Sequence, residues 1–126
     1  MANSTSANLK LTVQATGENS GTWGQITNTN LLIVEQAIGG YGTFNLTNAD
    51  RSLTFTNGAV SDGKDQVIKL TGTLAANRTV TIPDSIEKTY LIVDGTDHAG
   101  NTLTFKTSSG TGVLLCEGNC YVLYSD

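Results

Sequence analysis

Three carboxylate or amide side chains, Asp94, Asp97 and Asn101, crowd into the stretch DGTDHAGN, and such oxygen ligands so close together are what a calcium loop offers. Asp, Asn and Gly are also the residues a tight turn uses to satisfy its own backbone, and the turn is the stronger account here. His98, in the same stretch, is the single histidine of the chain. With no Ser or Cys nucleophile near it in sequence, it reads as an exposed loop residue and not as a catalytic base. Asp62, Asp65, Asp84 and Glu87 fall in turn-rich segments. Acid–base work needs carboxyls in a concave site that pushes their pKa values apart, and nothing in this pattern requires one.

Cys116 and Cys120 flank Glu117-Gly118-Asn119. A three-residue turn would set them facing each other across a hairpin, where a disulfide is geometrically open but would close a short loop and constrain the unfolded chain little. Reduced thiols are preferred, and zinc would need two further soft ligands, with His98 in a different turn. The sequons at Asn3, Asn45 and Asn77 are what an Asn- and Thr-rich chain produces by chance, and GTWGQ lacks phosphate-loop or dinucleotide spacing. The expectation is a non-enzymatic protein with no catalytic residues, no cofactor and no metal.

The chain's 126 residues fit one domain with a real core. Charged residues make up 14% of it, well below the roughly 25% of an ordinary soluble domain, so exposed Thr, Asn and Ser must supply much of its solubility. A net charge of -4, with seven Lys and Arg and no basic cluster, argues against nucleic acid, which needs a cationic footprint. No apolar run is long enough to cross a bilayer, so no membrane insertion is expected. MANSTSANLKL has neither the basic nor the apolar region of a secretory signal. Export would then need another route, such as release on a particle by lysis.

Residues 17 to 40 are the one stretch with helical spacing, and they predict a single amphipathic α-helix near residues 22–38. Trp23, Ile26, Ile33, Val34, Ala37 and Ile38 share one side of it. Leu31 and Leu32 fall off that side, so the helix has two surfaces to bury, one beneath a sheet and one against a neighbouring subunit. Ser20 or Thr22 is the expected N-cap and Gly39-Gly40 the stop. The rest alternates like strand, at 8–15, 41–47, 52–56, 66–72, 77–83, 88–95, 101–107, 112–116 and 120–125. Hairpins are expected for 41–47 with 52–56 and for 66–72 with 77–83. The fold class is therefore all-β, mainly antiparallel, as a sandwich or fibre-like module with one helix. Residues 1–7 read as a flexible arm and 8–126 as one β-rich domain, with the N-terminal part of a longer chain preferred to a complete short protein.

NLKLTVQATGENSGTWGQITNTNLLIVEQAIGGY, followed by the Thr-rich region with LTGTLAANRTVTIP and the closing YVLY, resembles tail-fibre and related virion proteins of phages that infect marine and cyanobacterial hosts. TGENSGTWG and the helix after it are the most specific part of the likeness. The resemblance implies a homotrimer located in the virion and assembled in the host cytoplasm. Its N-terminal region would attach to a tail hub, nozzle or adaptor, while distal parts meet the host cell surface. It brings no enzymatic residues, and the Cys116 and Cys120 pair departs from it. The expected function is a virion structural protein serving as the N-terminal attachment region of a trimeric tail fibre. The assembly helix would carry Trp23, Ile26, Leu31, Leu32, Ile33, Val34 and Ile38. A capsid decoration, cement or head-fibre protein and a carbohydrate-binding module are the alternatives.

Overall fold

A computed structural model describes residues 2–126. It begins with a two-stranded antiparallel ribbon, β1 (Ser4–Thr5) and β2 (Thr12–Val13), followed by the helix α1 (Trp23–Gly39). The chain then lays down one strand in each of two sheets, three times in succession. These strands are β3 (Tyr41–Asn45) and β4 (Arg51–Ser52), β5 (Val67–Thr73) and β6 (Arg78–Ile82), and β7 (Lys88–Asp97) and β8 (Leu103–Thr107). Within each sheet these strands are parallel, so the middle of the molecule is a short two-faced coil. A reversed strand then completes each sheet, β9 (Val113–Leu114) on β8 and β10 (Cys120–Ser125) on β7.

The protein is thus β-rich with one helix. The antiparallel pairing expected from the alternation holds only at the margins, in β1 with β2, β7 with β10 and β8 with β9. Neither expected hairpin forms, because β3 and β4, like β5 and β6, lie in different sheets. Alternation specifies which face a side chain takes but not which strand lies alongside. A parallel neighbour requires a long crossover, and here the crossover is the strand of the opposite sheet.

Between the sheets lies one apolar core that includes Leu46, Leu53, Ile68, Leu70, Val80 and Leu103, all buried. Tyr90 and Phe105 meet edge to face there, with ring centroids 5.6 Å apart. Side chains at the corners tie successive turns of the coil together. Asp50 accepts the Thr79 N–H at 2.9 Å, and Asn77 accepts the Thr102 N–H at 3.0 Å. Arg78 reaches back to donate to the Leu46 and Thr47 carbonyls, each at 2.9 Å. Such bonds give corner backbone groups partners that a sheet ladder cannot supply.

The N-terminal region departs most from expectation. Of the strand expected at 8–15 only Thr12–Val13 forms, and Ser4–Thr5 of the expected arm pairs with it; Met1 lies outside the described residues. Thr22 occupies the N-cap of α1 without a side-chain cap bond, its hydroxyl donating instead to the Asn19 carbonyl. Gly40 ends the helix in an extended conformation, so left-handed geometry is not why a glycine stands there. A Cβ at Gly40 would run into the Gln36 carbonyl and approach Asp65 Oδ1 to 2.6 Å.

Candidate assembly surface

The helix does not lie beneath a sheet. It rests on β2 and on the short 3-10 turn Asp62–Lys64, and polar side chains fasten it there. Asn30 behaves like a piece of strand backbone: its Oδ1 accepts the Thr12 N–H at 2.9 Å and its Nδ2 donates to the Thr12 carbonyl at 2.8 Å. Gln36 Nε2 donates to the Ser61 carbonyl at 2.7 Å and to Asp65 Oδ1 at 2.9 Å. Thr27 accepts a bond from Gln14 Nε2 at 3.0 Å.

Among the apolar residues assigned to the helix core, Ile33 is buried and Ile26 and Val34 are half-buried. Trp23, Leu31, Leu32 and Ile38 are 65%, 62%, 56% and 75% exposed. Of the side expected to be core, Ile26, Ile33, Val34 and Ala37 are thus at least half-buried but Trp23 and Ile38 face solvent, and Leu31 and Leu32, expected on the second surface, are exposed. The physical reason is that the helix has little apolar sheet to lie on: its neighbours are a two-residue strand and a polar turn, and these are met by amides. At 100° per residue, Trp23, Thr27, Leu31, Val34 and Ile38 fall within an arc of roughly 80°. They form a stripe beside the anchored side, and Leu32 stands apart, next to Val60 in a groove of about 330 Å3.

A second apolar surface lies on the outer face of the sheet β10-β7-β5-β3. The register places Tyr41, Val67, Leu91 and Val122 in one row across all four strands. Tyr41 is 59% exposed, Val122 74% and Tyr124, on the same face, 65%. None of these was singled out by sequence. Their signal is that YLIV (90–93) and YVLY (121–124) are apolar on both faces of the strand, a pattern of strands covered from both sides. Asn30 and Gln36 have no comparable signal, since amides on a helix read as solvated.

The residues that could do chemistry are engaged elsewhere. Asp94 is buried; its Oδ1 accepts from the Thr96 N–H at 3.0 Å and hydroxyl at 2.6 Å, and its Oδ2 lies 2.7 Å from His98 Nε2. The expected exposed histidine is thus mostly covered. Asp97 accepts the Ala99 N–H at 3.0 Å, and Asn101 donates to the Leu74 carbonyl at 2.9 Å. The two carboxylates therefore bond within their own turn, and the Asn101 amide bonds to the preceding corner of the coil. Among the described residues no group of three or more His, Cys, Asp or Glu is placed to hold a metal ion. Cys116 and Cys120 are free, exposed thiols; Cys120 begins β10, while the strand before Cys116 belongs to the other sheet, so no ladder sets them opposite each other.

Asp62, bonded by Arg51 and by the Thr54 N–H and hydroxyl, is held below the usual carboxylate range, because these bonds outweigh the opposing effect of burial. Lys64 is fully buried, donates to the Thr56 and Ala59 carbonyls, and is lowered by burial and by Lys10. Burial also lowers Lys88, to about 8, against the opposing pull of Asp65. Its Nζ donates to the Asp65 carbonyl at 2.8 Å and sits 4.0 Å from the centre of the Tyr90 ring. The Tyr90 hydroxyl donates to the Gly63 carbonyl at 2.7 Å, and burial raises its pKa. These groups close the core at the end nearest the helix.

The geometry defines a two-sheet parallel coil with a polar-anchored helix and two uncovered apolar surfaces. No family model, curated protein or solved structure matches this chain.

Proposed function

We propose that this chain is a non-enzymatic structural protein that assembles with copies of itself and, on the strength of its resemblance, does so in a virion as the attachment region of a trimeric tail fibre. The observation that carries the assembly part is the outward placement of Trp23, Leu31 and Ile38 along one stripe of α1. A helix anchored by its amides and apolar toward solvent has its own chain satisfied on one side and lacks a neighbour on the other. The stripe repeats at spacings of four and three residues from Thr27 to Ile38, as a helix seam facing a like helix does.

The virion assignment is supported by the TGENSGTWG and LTGTLAANRTVTIP segments alone. Purified particles and sedimentation test the two parts separately. The chain is expected among the proteins of intact virions in a multiple of three copies, and as an oligomer in solution at micromolar concentration. Absence from particles would reject the virion role, and a stable monomer would reject assembly.

A further inference from the structure

The outer face of the four-stranded sheet is bare although its strands carry the residue pattern of a face that is covered. Among the described residues Lys69 is the one cation on that face, and its Cε leans toward Gly95, to within 3.4 Å of where a Cβ there would stand. That leaning carries the stem away from the row Tyr41–Val67–Leu91–Val122, which is left open. We propose that this face is the surface on which a second copy of the chain packs, continuous with the helix stripe; the proposal rests on the reading of the chain as an assembly part.

Charge permits a copy as the occupant. The chain has 11 acidic residues and a net charge of -4, so two copies repel unless they meet where carboxylates are missing. None falls in the helix stripe or in the row itself; Glu35 flanks the stripe one turn after Leu31, and on the sheet Asp97 at the end of β7 and Asp126 just after β10 lie beyond the row. Area points the same way. Tyr41, Val122 and Tyr124 present on the order of 300–400 Å2, and Trp23, Leu31 and Ile38 roughly 200–300 Å2. A stable interface takes about 800 Å2 from each partner, so neither patch suffices alone and the two together come close. Their near ends are close in the chain, since Ile38 and Tyr41 are three residues apart and no more than about 10 Å of chain separates them.

Sedimentation velocity on the full chain tests this, with Val122→Glu and Tyr124→Ser on the sheet, Leu31→Glu on the helix and Ala75→Glu on an exposed corner as control. All four positions are exposed, so each variant is expected to retain the wild-type circular dichroism and, at concentrations where the wild type is monomeric, its melting point. The inference expects an oligomer whose dissociation concentration rises about tenfold or more for either sheet variant and for Leu31→Glu, and is unmoved by Ala75→Glu. An oligomer broken by Leu31→Glu but indifferent to both sheet variants overturns the sheet contact and leaves the assembly reading standing. A wild-type monomer overturns both. A monomer in which soluble polysaccharide protects Tyr41 and Tyr124 from modification assigns the face to sugar and likewise overturns the proposal.

Discussion

Replacing Asn30 with alanine should loosen the helix, whereas replacing its neighbour Leu31 should not, which inverts the usual rank of amide and leucine. Asn30 exchanges two hydrogen bonds with Thr12, at 2.9 and 2.8 Å, in a part-buried setting. Each contributes about 0.5–1.5 kcal/mol net, and their loss strands the Thr12 N–H and carbonyl, so the cost is about 1–3 kcal/mol. That is an increase of about 5- to 150-fold in the equilibrium for opening α1 away from β2. Leu31 is 62% exposed in the single chain, and Leu31→Ala should change stability by no more than about 0.5 kcal/mol. Amide hydrogen exchange across residues 23–39 and at Thr12 reads the difference, on samples dilute enough to be monomeric. There, faster exchange is expected for Asn30→Ala alone. If Leu31→Ala opened the helix as far as Asn30→Ala, the apolar stripe would have intramolecular partners and the account of α1 would be wrong.

Stability should rise with pH between about 8 and 10. Lys88 has a folded value of about 8 against 10.5 when unfolded, so in that window the unfolded chain binds more protons and deprotonation relieves a buried cation. Lys64 shifts in the same direction. The gain from Lys88 is on the order of 1–3 kcal/mol, with the lower end applying where solvent screens its Nζ. Above the unfolded tyrosine value the sign reverses, because Tyr90 holds its proton longer in the folded state. Urea midpoints across the alkaline range should therefore peak near pH 10, and a flat or falling trend from 8 to 10 would contradict the burial of Lys88. Gly40→Ala, although its backbone angles suit any residue, should cost about 1–3 kcal/mol through overlap with the Gln36 carbonyl and Asp65. A melting point equal to that of the parent would show that the helix-to-β3 junction is looser than described.

Much of the local structure was legible in the sequence. Helical spacing located one helix, seen at Trp23–Gly39, and alternation located the segments 41–47 and 52–56, in which Leu46 and Leu53 are buried. The repeat was harder to see. Its signal is ADRSLTF at 49–55 and ANRTVTI at 76–82, with NTLTF at 101–105 as a shorter echo. These segments supply the corner side chains and inward strand residues of successive turns. Sheet partners lie between 24 and 29 positions apart, as Val67 with Leu91 and Arg51 with Val80 show, and such uneven spacing blurs the period.

Sequence alone located the helix and most strand segments after it, and which side chains of a strand share a face, because φ, ψ preference and side-chain period are local. Tertiary structure decided everything that depends on a distant partner. It made β5 lie between β3 and β7 instead of folding back on β6, and it turned Asn30 and Gln36 inward while Trp23 and Leu31 faced out. A helix buries whichever side its neighbours can satisfy. Here the neighbours include backbone groups of β2 and of the loop around Ser61 that need hydrogen bonds, so Asn30 and Gln36 are held inside beside Ile33 and the stripe of Trp23, Leu31 and Ile38 remains at the surface.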